Sequence, residues 1–183
     1  MPRYVAFLRA LNVGGQHVVR MDALKRRFER LGFTEVETFI ASGNVVFSAR
    51  SAKGLDAKIA GALEAALGYE VATFVRTLEE LAAAAAHEPF PKSERETAAR
   101  ILVGFLSREL DAAAHACVAG LETGVDRFHV RGREFWWLSK NKQSGAEITG
   151  RALERALGQP TTLRGINTIL RMAARYRPED PGE

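Results

Sequence analysis

An α+β fold is predicted. It consists of a ferredoxin-like (βαββαβ) N-terminal subdomain and a second, smaller α+β subdomain with an antiparallel hairpin and C-terminal helices. Three observations predict it. Apolar spacing switches between strand-like and helical periods in the order β-α-β-β-α-β across residues 3–75. A stretch with two prolines, residues 88–94, then interrupts the pattern. Beyond it, strands and helices resume in a partly similar order with no sequence repeat. The expected boundaries are 1–88 for the first subdomain, 95–177 for the second, and 178–183 for a loose tail.

Residues 3–11 read as a strand that is apolar on both alternating sets, with Tyr4, Ala6 and Leu8 on one and Val5, Phe7 and Leu11 on the other. That pattern suits a central strand covered on both faces. The loop Asn12-Val13-Gly14-Gly15-Gln16-His17 follows. A helix is expected over 21–31, with Met21, Leu24, Phe28 and Leu31 at helical spacing and Gly32 beyond its end. Residues 36–41 and 45–48 read as short strands around the turn Ser42-Gly43-Asn44. Leu55, Ile59, Leu63 and Leu67, four apart, mark a second helix closed by Gly68. A strand over 71–75 and a helix over 78–87 complete the first half, and the linker is placed at 88–94.

In the second half, strands are expected at 99–106, 128–131 and 134–138, the last two flanking Arg131-Gly132-Arg133. A short strand is expected at 161–163. Helices are expected at 110–118, 146–157 and 167–176, with a basic loop at 139–145. Trp136 and Trp137 are adjacent on a strand, so they face opposite sides.

The chain has 183 residues, of which 46% are hydrophobic and 26% charged. This composition is close to the globular average and is sufficient for a sizeable core. The longest weakly polar run, Leu81 to Ala86, is too short to cross a bilayer. Arg9 breaks the opening apolar run, which ends at Asn12, so it does not read as a signal peptide. No membrane partner is expected. Cys117 is the only cysteine, read here as a buried, inert thiol, and the expected location is cytoplasmic. The net charge is +4, and the first fifty residues carry eight Lys/Arg against four Asp/Glu. That excess permits an anionic partner without demanding one.

The predicted topology places the ends of the first and second strands at one edge of the sheet. The loop holding Asn12, Gly14 and Gly15 and the turn Ser42-Gly43-Asn44 then converge there. Glycines allow close backbone approach, and exposed amides bind anions. The bland alternative is that Asn12 and Asn44 brace their own turns. Arg9 shares its face with Val5 and Phe7, where a guanidinium needs a partner. Either it forms a buried ion pair or it meets an anionic ligand in a cleft. Arg164 and Asn167 are candidate contributions from the second half, although the shared pattern R-x-[LI]-N is read as chance. The expected function is therefore binding of a small anionic or phosphorylated ligand. The alternatives are weak nucleic-acid binding through the first helix, which carries Lys25, Arg26, Arg27 and Arg30, or an enzyme of unknown chemistry.

Arg9-Ala10-Leu11-Asn12-Val13-Gly14-Gly15, Leu31-Gly32-Phe33, Ser42-Gly43-Asn44-Val45-Val46-Phe47 and Val75-Arg76-Thr77 together resemble an uncharacterised bacterial family, domain-of-unknown-function family 1697 (DUF1697). The resemblance implies a ferredoxin-like half beside a second α+β half, and it implies no activity. Two departures stand out. Ala10 replaces a customary Gly, and Gly165 and Ile166 replace the inner Asn and Trp of a motif that otherwise keeps Arg164, Asn167 and Thr168.

Other chemistry finds no sequence support. The histidines at 17, 87, 115 and 129 lack metal-ligand spacing. Gly14-Gly15 lacks the rest of a dinucleotide fingerprint, and no P-loop or hydrolase motif occurs. No metal and no cofactor are expected. The strand Asn44-Val45-Val46-Phe47 has one aromatic, too few for RNA-recognition-motif stacking. Ser139-Lys140 are neighbours on a loop, a poor geometry for a nucleophile and its base.

Overall fold

The computed structural model of the protein describes residues 1–9, 19–141 and 148–178. They fall into two compact units, Met1–Ala83 with the chain from Met172 onward, and Ala84–Arg171.

The first unit holds β1 (Arg3–Leu8), α1 (Met21–Arg30), β2 (Thr34–Thr38), β3 (Asn44–Ser48), α2 (Leu55–Leu67) and β4 (Thr73–Thr77). Its sheet has the order β2-β3-β1-β4, and every neighbouring pair is antiparallel. The two apolar sets of β1 explain its interior place. Tyr4, Ala6 and Leu8 join a core with Phe28, Phe47, Ile59 and Leu63, while Val5 and Phe7 are also fully buried. Leu24 and Phe28 are the buried residues of α1, and Leu55, Ile59 and Leu63 those of α2. Burying each such side chain contributes about 1.5–3 kcal/mol.

Two strands differ from the expectation. β2 occupies Thr34–Thr38 rather than 36–41. Its pairing with β3 slips between Thr34 and Glu37, and Glu35 takes φ +49°. This bulge absorbs an extra residue. The strand thus ends early, and the chain turns through Ile40 (φ +51°) and Gly43 (φ +73°). β4 occupies Thr73–Thr77 rather than 71–75 and runs directly into α3 (Leu78–Ala86). Thr77 and Glu80 exchange backbone-to-side-chain hydrogen bonds of 2.8 and 3.1 Å, a reciprocal cap that starts the helix at once.

The second unit holds α4 (Lys92–Thr97), β5 (Arg100–Phe105), α5 (Ala112–Ala119), β6 (Asp126–Arg131), β7 (Glu134–Ser139), α6 (Gly150–Leu157) and β8 (Thr162–Gly165). α7 (Ile166–Arg175) begins in this unit and ends in the first. The sheet order is β6-β7-β5-β8. In both units, therefore, the first strand lies between the third and fourth, and the second lies at an edge. Phe135, Trp137, Val118, Leu153 and Leu157 form the core. The Trp137 indole N–H donates to the buried Asp126 carboxylate at 2.8 Å. α5 and α6 start on Asp111 and Thr149, whose side chains accept from Ala114 and Ala152.

Two expectations in this region are corrected. The expected linker overlaps the first residues, 92–94, of α4, which starts after Pro91; Arg95 donates from this helix to Phe90 O and Glu88. A proline before the first turn favours a helix start as readily as a break. Cys117 is exposed rather than buried, because Val118 is the buried residue of the short, alanine-rich α5. The expected tail beyond 178 and most of the basic loop lie outside the described residues. Among the described residues, no helix is long and apolar enough to cross a membrane.

Candidate anion-binding rim

The rim is built by the antiparallel pairing of β1 with β3. Phe7 lies opposite Asn44 in that ladder. One residue on, the Leu8 N–H donates to Gly43 O at 2.8 Å, and on the other side the Arg9 N–H donates to Ala72 O at 2.9 Å. Arg9 therefore leaves the sheet between the β2–β3 turn and the segment entering β4. It is half-buried and follows Val5 and Phe7 by strand alternation. Asn12, Gly14 and Gly15 lie outside the described residues.

Asn44 is fully buried and spends its amide on the turn. Its Nδ2 donates to Phe39 O at 3.0 Å and to Ser42 Oγ at 2.9 Å, while its backbone carbonyl accepts from the Phe39 N–H at 2.9 Å. The turn is thus held from inside by one side chain. Gly43 is itself buried and takes φ +73°, the left-handed conformation that glycine adopts without strain, which lets the turn close.

Arg164 and Asn167 belong to the second unit. Arg164 is buried on β8, where its Nη1 donates to Thr162 Oγ1 at 2.7 Å and Leu163 O at 2.9 Å. Burial lowers its pKa to about 10. Asn167 is exposed on α7.

The sequence reading missed two groups. Arg76 lies opposite Val5 on β4 and is 1% exposed, with its Nη1 donating to Val75 O at 2.8 Å. The signal was present, since Arg76 interrupts an apolar strand just as Arg9 does. In the second unit, His87 and His129 stand 5.0 Å apart by ring centroids, and Trp136 packs edge-on to His87 at 4.6 Å. His129 faces Trp136 across the β6–β7 ladder. No spacing could reveal a pair 42 positions apart. Among the described residues, no group of three or more His, Cys, Asp or Glu side chains could hold a metal.

The basic face of α1 is compensated in part. Asp22 takes Arg20 at 3.2 Å and Arg26 at 3.1 Å, and Lys25 lies 3.9 Å from Glu29. Such pairs reduce the positive field that a phosphate backbone would require.

The two sheets define an α+β protein of two antiparallel units. The chain belongs to the family described as "Protein of unknown function (DUF1697)", whose profile matches residues 1–136. That match includes the rim and ends before Arg164. The solved structure of a conserved bacterial protein from Streptococcus pneumoniae is similar in fold. Its TM-score is 0.74 at 24% identity, over 96% of this chain and 98% of that one. No curated protein is similar to the chain in sequence.

Proposed function

We propose that the protein binds a small anionic or phosphorylated ligand at the rim formed by Arg9, Ser42 and Gly43. In this reading the Arg9 guanidinium meets the anion, the Ser42 hydroxyl donates to it, and Asn44 holds the turn in place. Asn12, Gly14 and Gly15 belong to this reading on the sequence alone. Arg164, tied to Thr162 and Leu163 in its own unit, and Asn167 are not needed. The observation that carries the reading is the 2.8 Å hydrogen bond from the Leu8 N–H to Gly43 O, which sets the exit of β1 beside the turn. We also read the first unit as ferredoxin-like. Support comes from the strand order β2-β3-β1-β4 with a helix after β1 and another after β3. A cytoplasmic setting fits the exposed, unpaired thiol of Cys117.

A thermal-shift screen against nucleotides and sugar phosphates tests the ligand reading. Binding stabilises by about 2.7 kcal/mol at a hundredfold excess over Kd. At least one phosphate ester should raise Tm by several degrees, and Arg9→Ala should abolish the rise. No stabilisation by any compound, or an undiminished rise in Arg9→Ala, removes the proposal.

A further inference from the structure

We propose a second ligand site in the first unit, a groove that takes a phosphate monoester carrying a flat apolar group. It lies at the other end of the sheet from the rim. β3 runs from Asn44, beside the rim, to Ser48, and Ala49 and Arg50 beyond it line the groove. The volume is about 400 Å³, within the range of small-molecule sites.

One wall is apolar. Leu31, Phe33, Ala49 and Leu55 form it, and the last three are also part of the core. The opposite character comes from Arg50, Lys53 and Lys58, and no carboxylate lines the groove. Among the described residues, none of these three cations is in an ion pair. Contrast the start of α1, where Arg20 just before the helix and Lys25 and Arg26 within it have acidic neighbours. Three uncompensated cations around one concavity concentrate a positive potential.

Lys58 is the organising residue. Its Nζ donates to Leu31 O at 2.9 Å and lies 4.9 Å from the centroid of the Phe33 ring. The ammonium is thereby fixed at the junction of the apolar wall and the open groove, with two of its three N–H donors still unused by that bond. Arg50 and Lys53 are exposed on the segment leading into α2. An apolar ring against Leu31 and Leu55 would leave its attached anion among the three cations. A phosphate monoester carries nearly two charges at neutral pH and offers more acceptor oxygens than a carboxylate, so it suits this charge set better.

Naphthyl phosphate, naphthoate and naphthol share the ring and differ in charge. They should be titrated into the full-length protein while its backbone amide NMR signals are followed. Saturable shifts should be confined to residues 31–34 and 49–58. Naphthyl phosphate should bind more tightly than naphthoate, and naphthol weakest. The exposed substitutions Lys53→Gln and Lys58→Gln together should weaken naphthyl phosphate by about tenfold or more, the loss expected from charge-assisted contacts. Arg9→Ala should leave this binding unchanged, which separates the groove from the rim. Equal affinity for naphthol, shifts centred elsewhere, or undiminished binding by the double variant would each overturn the site.

Discussion

The Phe135 ring lies across its cross-strand partner Gly104, in the space that a Cβ on residue 104 would fill. Gly104 sits mid-strand in β5, between β7 and β8, and the ring is fully buried. Neither partner can yield without moving the core of the second unit. Gly104→Ala should therefore destabilise the protein by about 1–3 kcal/mol or more, the cost of overpacking a dense interior. Phe135→Leu in the same chain should recover part of that loss, although it is destabilising alone. Urea midpoints of the four proteins give the coupling. Strictly additive losses would mean that the ring does not occupy this space.

Gly104 also shows where sequence reading reaches its limit. Residues 99–106 read as a strand on apolar content, but no local feature says that a ring thirty-one positions later needs the missing side chain. Leu55, Ile59 and Leu63 were legible because a single helix face carries its own period. The interior place of β1 was legible because both of its alternating sets are apolar. β2 was misplaced because the αL conformation of Glu35, a residue type seldom found there, carries no compositional mark. Its carboxylate accepts from the buried Ser48 hydroxyl, a partner outside any local window. At the rim, Ser42-Gly43-Asn44 announced a turn. The burial of Asn44 depended on the sheet register and was not readable beforehand.

Glu37 ties three residues of the first unit together. Its carboxylate accepts from Arg3 at 3.2 Å, Arg175 at 2.9 Å and the Tyr176 hydroxyl at 3.2 Å. Burial alone would raise its pKa, but the bonds from Arg175 and Tyr176 and the charges of Arg175 and Arg3 outweigh it and leave the carboxyl below its ordinary 4.5. A lowered folded pKa gives stability that is present above the unfolded value and lost as pH falls through the folded one. The Tyr176 hydroxyl is shifted the other way, raised by burial and by the Glu37 charge above 10.0, so its share is present below that value and lost as pH climbs past it. Glu37 is substantially exposed, so solvent screening limits the pair with Arg175 to about 0.5–1 kcal/mol. A double-mutant cycle of Glu37→Gln and Arg175→Gln at pH 7 should return that coupling. It should shrink as pH falls through the folded pKa of Glu37, and a coupling indifferent to pH would exclude the ionic account.

His87 should make the second unit sensitive to mild acid. Arg131 Nη1 lies 3.3 Å from His87 Nδ1. A guanidinium can only donate, so Nδ1 must accept and the neutral ring carries its proton on Nε2. That nitrogen is buried without a partner, as is the indole nitrogen of Trp136. Burial, then the neighbouring His129, then Arg131 hold the His87 pKa below its ordinary 6.5. The unfolded chain therefore takes up the proton first as pH falls. The stability contributed is complete above 6.5 and is lost as pH drops through the folded value, the sign required when the unfolded state binds more protons. Arg131→Gln removes one positive neighbour, so it should raise the His87 pKa and make the acid-side decline in stability shallower. Imidazole NMR titration gives the first quantity, and urea midpoints between about pH 5 and 8 give the second. If His87 instead titrates at or above its ordinary value, its half-buried ring and the Arg131 guanidinium cannot be arranged as described.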